Sequence, residues 1–70
     1  MTRKHFTLAN MTCNHCVMSV RKTLAGIEHV QVEDVRIGEA DVEFDDAVVR
    51  EETLVEALRA AGYPVVEIAQ

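Results

Sequence analysis

The sequence has no tryptophan, one proline, three glycines and only three aromatic side chains. With so little glycine and proline, the chain has no linker and no low-complexity stretch. No apolar run approaches the ~20 residues that a membrane-spanning helix needs. Two cysteines, Cys13 and Cys16, cannot make a disulfide scaffold, because a bridge between them would close a tiny loop and add little stability. Positive charge is also scarce: seven basic residues against twelve acidic ones give a net charge of −5. That balance excludes nonspecific binding to nucleic acid or anionic lipid, and suits an electrostatically steered basic partner. The chain is short as well. Seventy residues leave no room for a second domain or a deep substrate cavity, so one domain is expected over 1–70.

What is present is an ordinary globular composition, 49% hydrophobic and 27% charged, too apolar for a disordered chain. The basic start Met1-Thr2-Arg3-Lys4-His5 is followed by no long apolar core and no small-residue cleavage site. The expected compartment is therefore the cytoplasm. In a reducing compartment, a Cys-x-x-Cys pair reads as metal binding or redox chemistry.

The periodicity predicts six elements. His5-Phe6-Thr7-Leu8 alternates as a short strand. From Asn14 to about Ala25 the period becomes helical, with Val17, Val20, Leu24 and Ile27 on one stripe and Gly26 as C-cap. Val30 and Val32 then alternate in one phase, and Val35 and Ile37 in the other. The slip predicts a β-bulge at Glu33-Asp34. Gly38-Glu39 is the expected hairpin turn, and Ala40, Val42 and Phe44 face inward on the next strand. A second helix is expected over Glu51 to Ala61, with Leu54, Val55, Leu58 and Ala61 inward and Gly62 capping it. Val65 to Ile68 is the last strand. The order β-α-β-β-α-β predicts an α+β, ferredoxin-like sandwich with a four-stranded antiparallel sheet and both helices on one face. The fold hosts many functions and decides none.

The informative stretch is Met11-Thr12-Cys13-Asn14-His15-Cys16, where the first strand meets the first helix. Cys13 is expected on the loop and Cys16 in the first helical turn, with the two sulfurs able to face each other. The partial positive charge and free N–H groups of a helix start lower a thiol pKa. Two converging thiolates suit a soft ion. Zinc prefers four ligands, but the residue before Cys13 is Thr12 rather than an acid, and no second Cys-x-x-Cys exists. The expected order of preference is Cu(I), then Hg(II), then Zn(II). Met11 could be a thioether ligand or a packed anchor. His15 could be solvated, could offer an occasional third ligand, or could tune the thiolates. His5 and His29 are expected to be solvated. Arg21 and Lys22 either compensate the helix dipole or meet an acidic partner surface.

The motif, its position and the element order together resemble the heavy-metal-associated domain family, and within it the bacterial copper chaperones. The resemblance runs from Lys4 to Ile68: M-x-C-x-x-C matches Met11, Cys13 and Cys16, and Gly-Tyr after the second helix matches Gly62-Tyr63. It implies that Cys13 and Cys16 bind Cu(I), one ion per chain, with Met11 packed beneath the loop and Tyr63 close to the thiolates. Asn10 stands where the family usually has glycine, and asparagine tolerates left-handed backbone well. Phe44-Asp45-Asp46 and Gly62-Tyr63-Pro64 are also similar to periplasmic mercury-binding members.

The expected function is therefore an intracellular Cu(I) metallochaperone, not an enzyme. It would pass the ion by thiolate exchange to a copper-transporting P-type ATPase domain or a copper regulator. Alternatives are a Hg(II) or Zn(II) detoxification carrier, an excised domain of a metal-transporting ATPase, and a dithiol redox protein. The apo chain is expected to be monomeric, with a copper-bridged dimer at high loading.

Overall fold

A computed structural model of the chain describes residues 1–69. Its elements are β1 (Thr2–Leu8), α1 (Asn14–Ala25), β2 (Val30–Arg36), β3 (Glu39–Phe44), α2 (Glu51–Ala60) and β4 (Val65–Ala69). All strands pair antiparallel in the order β2-β3-β1-β4. This is the ferredoxin-like α+β sandwich that the periodicity implies.

Alternation decides which face is covered. Phe6, Leu8, Ala40, Val42 and Phe44 point to one side of the sheet and are buried there. Val20 and Leu24 from α1, and Leu54 and Leu58 from α2, complete that core. Phe6 and Phe44 are the largest of the fully buried side chains. Truncating a leucine such as Leu24 to alanine would cost about 2–5 kcal/mol.

The phase slip in β2 is a bulge. Pairing passes from Val32↔Val42 directly to Asp34↔Asp41, leaving Glu33 without a partner. The extra residue returns Val35 to the core, where it is 6% exposed.

Five expectations need correction. The hairpin turn is Ile37-Gly38 rather than Gly38-Glu39, because Glu39 already pairs with Arg36 at the start of β3. β1 begins at Thr2 rather than His5, because β3 supplies partners as far as Thr2↔Phe44. Ile37 does not continue the phase of Val35. It sits in the hairpin turn and is exposed. Ala61 is exposed as the C-cap of α2 rather than inward. His5 is not free in solvent. Its Nδ1 lies 2.5 Å from the Asp41 carboxylate and its Nε2 lies 3.1 Å from that of Glu39. Cross-strand pairing of His5 with Asp41 creates that setting.

One core residue has no periodic signal. Val49, in the segment before α2, is buried. Asp45 seats it: its carboxylate accepts the Ala47 N–H, and its carbonyl accepts the N–H groups of Val48 and Val49.

Candidate metal centre

Three connections meet at the end of the sheet where β1 and β2 finish. They are the β1–α1 loop, the β2–β3 hairpin and the α2–β4 turn. Leu8 N–H donates to the Gly38 carbonyl at 2.8 Å, and Ala9 N–H donates to the Pro64 carbonyl at 3.0 Å. The Asn10 side-chain amide reaches the Gly62 carbonyl at 3.4 Å. Asn10 itself adopts φ 67°, the left-handed region that asparagine tolerates better than most residues. The loop that turns from strand to helix is thus tied on both sides before the cysteines are reached.

Met11 is the third tie. Its side chain is buried in the core cluster, and its Sδ accepts the Gly38 N–H at 3.3 Å. The thioether is directed at the hairpin backbone. Thr12, Cys13, Asn14 and His15 are exposed, and Cys16 is half-buried.

Cys13 is the N-cap of α1, extended at φ −159° and ψ 175°. Its carbonyl accepts the N–H groups of Cys16 and Val17 at 3.0 and 3.3 Å. This starts the helix and puts both sulfurs at its positive end. The first turn of α1 contains no acidic residue, so no carboxylate competes for its free N–H groups. The Cys16 thiol accordingly lies far below the ordinary thiol range, at about 6, chiefly through a backbone hydrogen bond from Thr12, followed by the Tyr63 hydroxyl. The Thr12 hydroxyl stands 4.0 Å from the Cys16 sulfur. Near neutral pH, Cys16 is a thiolate.

The α2–β4 turn brings Tyr63 to that thiolate. Gly62 N–H donates to the Arg59 carbonyl at 3.0 Å, and Tyr63 N–H donates to the Leu58 carbonyl at 2.9 Å. This is a Schellman ending, with Gly62 at φ +98°, where a side chain would be strained. Tyr63 follows that turn, half-buried against the core. Its hydroxyl pKa is raised, first by the hydrogen bond to Cys16, while Ser19 opposes the shift. Ser19 was not singled out from the sequence. The signal was its place one helical turn after Cys16.

The structure therefore brings Met11, Thr12, Cys16 and Tyr63 together. It leaves Cys13 exposed beside them and His15 exposed. Both cysteines are free thiols. Among the described residues, no group of three or more His, Cys, Asp or Glu side chains converges as a metal cage.

The heavy-metal-associated domain profile matches residues 5–64. The chain belongs to the heavy-metal-associated domain family. Both cysteines and the Gly62-Tyr63 pair of this heavy-metal-associated domain lie inside the match. It is 31% identical over 68 residues to the copper chaperone CopZ of Staphylococcus aureus, covering 94% of this chain and all of that protein. It is 33% identical to a copper binding domain from HMA7, a P-type ATPase, with a TM-score of 0.87 over 99% of this chain and 96% of that one. It is 31% identical to oxidized MerP from Ralstonia metallidurans CH34, with a TM-score of 0.85 over 99% and 97%. Among the described residues, no helix of the domain is long and apolar enough to cross a membrane.

Proposed function

We propose that the chain, as one domain over 1–70, is a cytoplasmic Cu(I) metallochaperone, with Cys13 and Cys16 as the ligands of one ion. The observation that carries this reading is the donor set. Two sulfurs lie at an exposed helix start, one of them a thiolate at neutral pH, and the nearby thioether of Met11 is engaged by a backbone N–H. Such a site offers two soft donors. Cu(I) is satisfied by that number, whereas Zn(II) prefers four ligands.

Transfer follows from the same shortage of ligands. A thiolate of the receiving protein adds to the bound Cu(I), making a three-coordinate shared intermediate. One Cu–S bond to Cys13 or Cys16 then breaks, and a second exchange completes delivery. The ion stays Cu(I) and no substrate bond is made or cut, so the reading is a carrier and not an enzyme. Thr12 and Tyr63 hold the Cys16 thiolate, Met11 fixes the loop, and exposed His15 borders the exchange site. The proposed receivers are the metal-binding domain of a copper-transporting P-type ATPase or a copper regulator. The likeness to a copper chaperone and to an ATPase copper binding domain supports this. Apo protein is expected to be monomeric, and a dimer bridged by shared copper is expected at high loading.

The similarity to MerP supports a second reading, a Hg(II) carrier using the same two sulfurs. An anaerobic competition titration of reduced protein against a Cu(I) chelator at pH 7, with Hg(II) and Zn(II) in parallel, separates them. One equivalent of Cu(I) held far more tightly than Zn(II) is the expected result. Weak Cu(I) binding beside tight Hg(II) binding would overturn the copper reading.

A further inference from the structure

Three half-buried side chains run along one margin of α1. Cys16, Ser19 and Thr23 recur at spacings of three and four residues, beside buried Val20, so they stack on one side of the helix. Their bonding differs. Thr23 Oγ1 donates to the Ser19 carbonyl at 2.8 Å, the back-bond that hydroxyl residues commonly make inside a helix. Among the described residues, the Ser19 hydroxyl makes no matching bond to the His15 carbonyl. It meets the Tyr63 hydroxyl instead. Tyr63 arrives from the α2–β4 turn, with its N–H fixed on the Leu58 carbonyl at 2.9 Å and its ring packed against the core. Its oxygen therefore stands between two groups one helical turn apart, the Cys16 sulfur and the Ser19 hydroxyl.

Counting protons gives the direction of these bonds. A phenol has one O–H to donate and an oxygen that accepts, and a serine hydroxyl does either. A thiolate only accepts. If Tyr63 gave its proton to Ser19, the sulfur would lose a donor. If Ser19 donates to the phenol oxygen, the Tyr63 proton is left for the sulfur, and the two bonds polarise each other in the same sense. Ser19 opposes the rise in the Tyr63 hydroxyl pKa, which fits the second arrangement, since a donor to the oxygen favours its charged form. Thr12, Tyr63 and Cys13 are the groups that bond the Cys16 thiol, so Ser19 acts on that sulfur through Tyr63.

We infer that Ser19 is a positioning residue for metal transfer: its hydroxyl donates to the Tyr63 oxygen and so aims the Tyr63 proton at the Cys16 sulfur. The inference rests on the carrier reading of the two cysteines, and the experiment keeps the two apart. During delivery the Cu–S bond to Cys16 breaks and its electron pair stays on the sulfur. A donor already aimed at that sulfur stabilises the departing thiolate without reorganising. The proton stays on Tyr63 throughout. Ser19 holds the aim while the rest of the loop is open to the receiving protein.

The test has two arms, on wild type, Ser19→Ala, Ser19→Thr, Tyr63→Phe and the double variant Ser19→Ala/Tyr63→Phe. Alanine suits a helix interior, and circular dichroism confirms that each variant is folded. The chain holds one tyrosine, so a carbon label at tyrosine Cζ gives a single magnetic-resonance signal that reports the bonds of Tyr63. In reduced apo protein, Ser19→Ala should shift that signal, and Ser19→Thr, which keeps a hydroxyl, should restore it. The second arm mixes Cu(I)-loaded variant with isotope-labelled apo wild type, and native mass spectrometry follows the metal to the labelled chain. Tyr63→Phe should slow transfer about tenfold. Ser19→Ala should slow it about threefold, and Ser19→Thr should transfer as wild type does. The double variant should be no slower than Tyr63→Phe alone, because Ser19 has nothing left to aim.

A signal unmoved by Ser19→Ala would overturn the inference while leaving the carrier reading intact. So would a threefold slowing that persists in the Tyr63→Phe background, since Ser19 would then act by another route. A shifted signal with unchanged transfer would make the contact structural alone and would overturn it as well. If wild type holds Hg(II) and not Cu(I), the copper reading falls, and the same donors are compared with Hg(II).

Discussion

The two helices begin in the same way and are used differently. Each follows a strand, each N-cap residue is extended, and neither N-cap side chain caps its helix. At α2 the first turn holds Glu51 and Glu52, and Glu51 pairs with Lys4 at 3.5 Å. Carboxylates there complement the helix dipole. At α1 the first turn has no acid, and the positive end is left to two sulfurs, with Cys16 drawn to about 6. A helix start serves structure where carboxylates complement it, and chemistry where they are withheld.

Serine in place of Cys13 or Cys16 breaks the comparison most completely. Tight Cu(I) binding should be lost in the chelator competition, while the far-ultraviolet circular dichroism of apo protein stays that of wild type. Loss of the apo fold would instead make the cysteines structural.

Gly62→Ala acts next, since Gly62 closes α2 and delivers Tyr63 to the start of α1. No atom crowds the added methyl, so the cost is backbone strain at φ +98°. About 1–2 kcal/mol is expected, read as a melting temperature lower by about 4–8 °C per kcal/mol in a domain of this size.

Asn14→Glu gives α1 the kind of first-turn acid that α2 has. For wild type, the thiolate of Cys16 is present above about pH 6 and lost as pH falls through that value. Iodoacetamide labelling of Cys16 in apo protein, followed against pH and resolved by peptide mass, should have its midpoint there. Asn14→Glu and Tyr63→Phe should each raise the midpoint, the first by placing a negative charge beside the thiolate and the second by removing a hydrogen-bond donor. An unchanged midpoint in both variants would remove the helix end and Tyr63 as causes. Asn10→Gly should matter least. It relieves the left-handed backbone and loses only the long contact to Gly62, so a stability change within about 1 kcal/mol is expected.

Much of the fold was legible because its signals are local. The phase slip between Val32 and Val35 is a bulge, and the spacing of Val20, Leu24, Leu54 and Leu58 is the inner side of two helices. The placing of two thiols at a helix start could be read from Cys13 and Cys16 alone. The remainder depends on pairing between distant segments. Thr2-Arg3-Lys4 does not read as a strand until Phe44, Glu43 and Val42 lie opposite. His5 lies between Asp41 and Glu39 only because of the β1–β3 register. Val49 is seated by hydrogen bonds to Asp45 rather than by period. The burial of Met11 and the nearness of Tyr63 were legible through family likeness. The reasons, a hairpin N–H on the sulfur and a Schellman turn before the tyrosine, required all three connections at once.

The bulge in β2 has a consequence for behaviour in solution. β2 is an outer strand of the sheet, and a flat outer strand invites another chain to pair along it. The unpartnered Glu33 breaks the regular ladder, and Glu33, Asp34 and Arg36 line the same strand with charge. One added residue therefore does two things. It turns Val35 into the core, and it spoils the template on which copies of the chain would stack, keeping that margin of the sheet from seeding aggregates at high protein concentration.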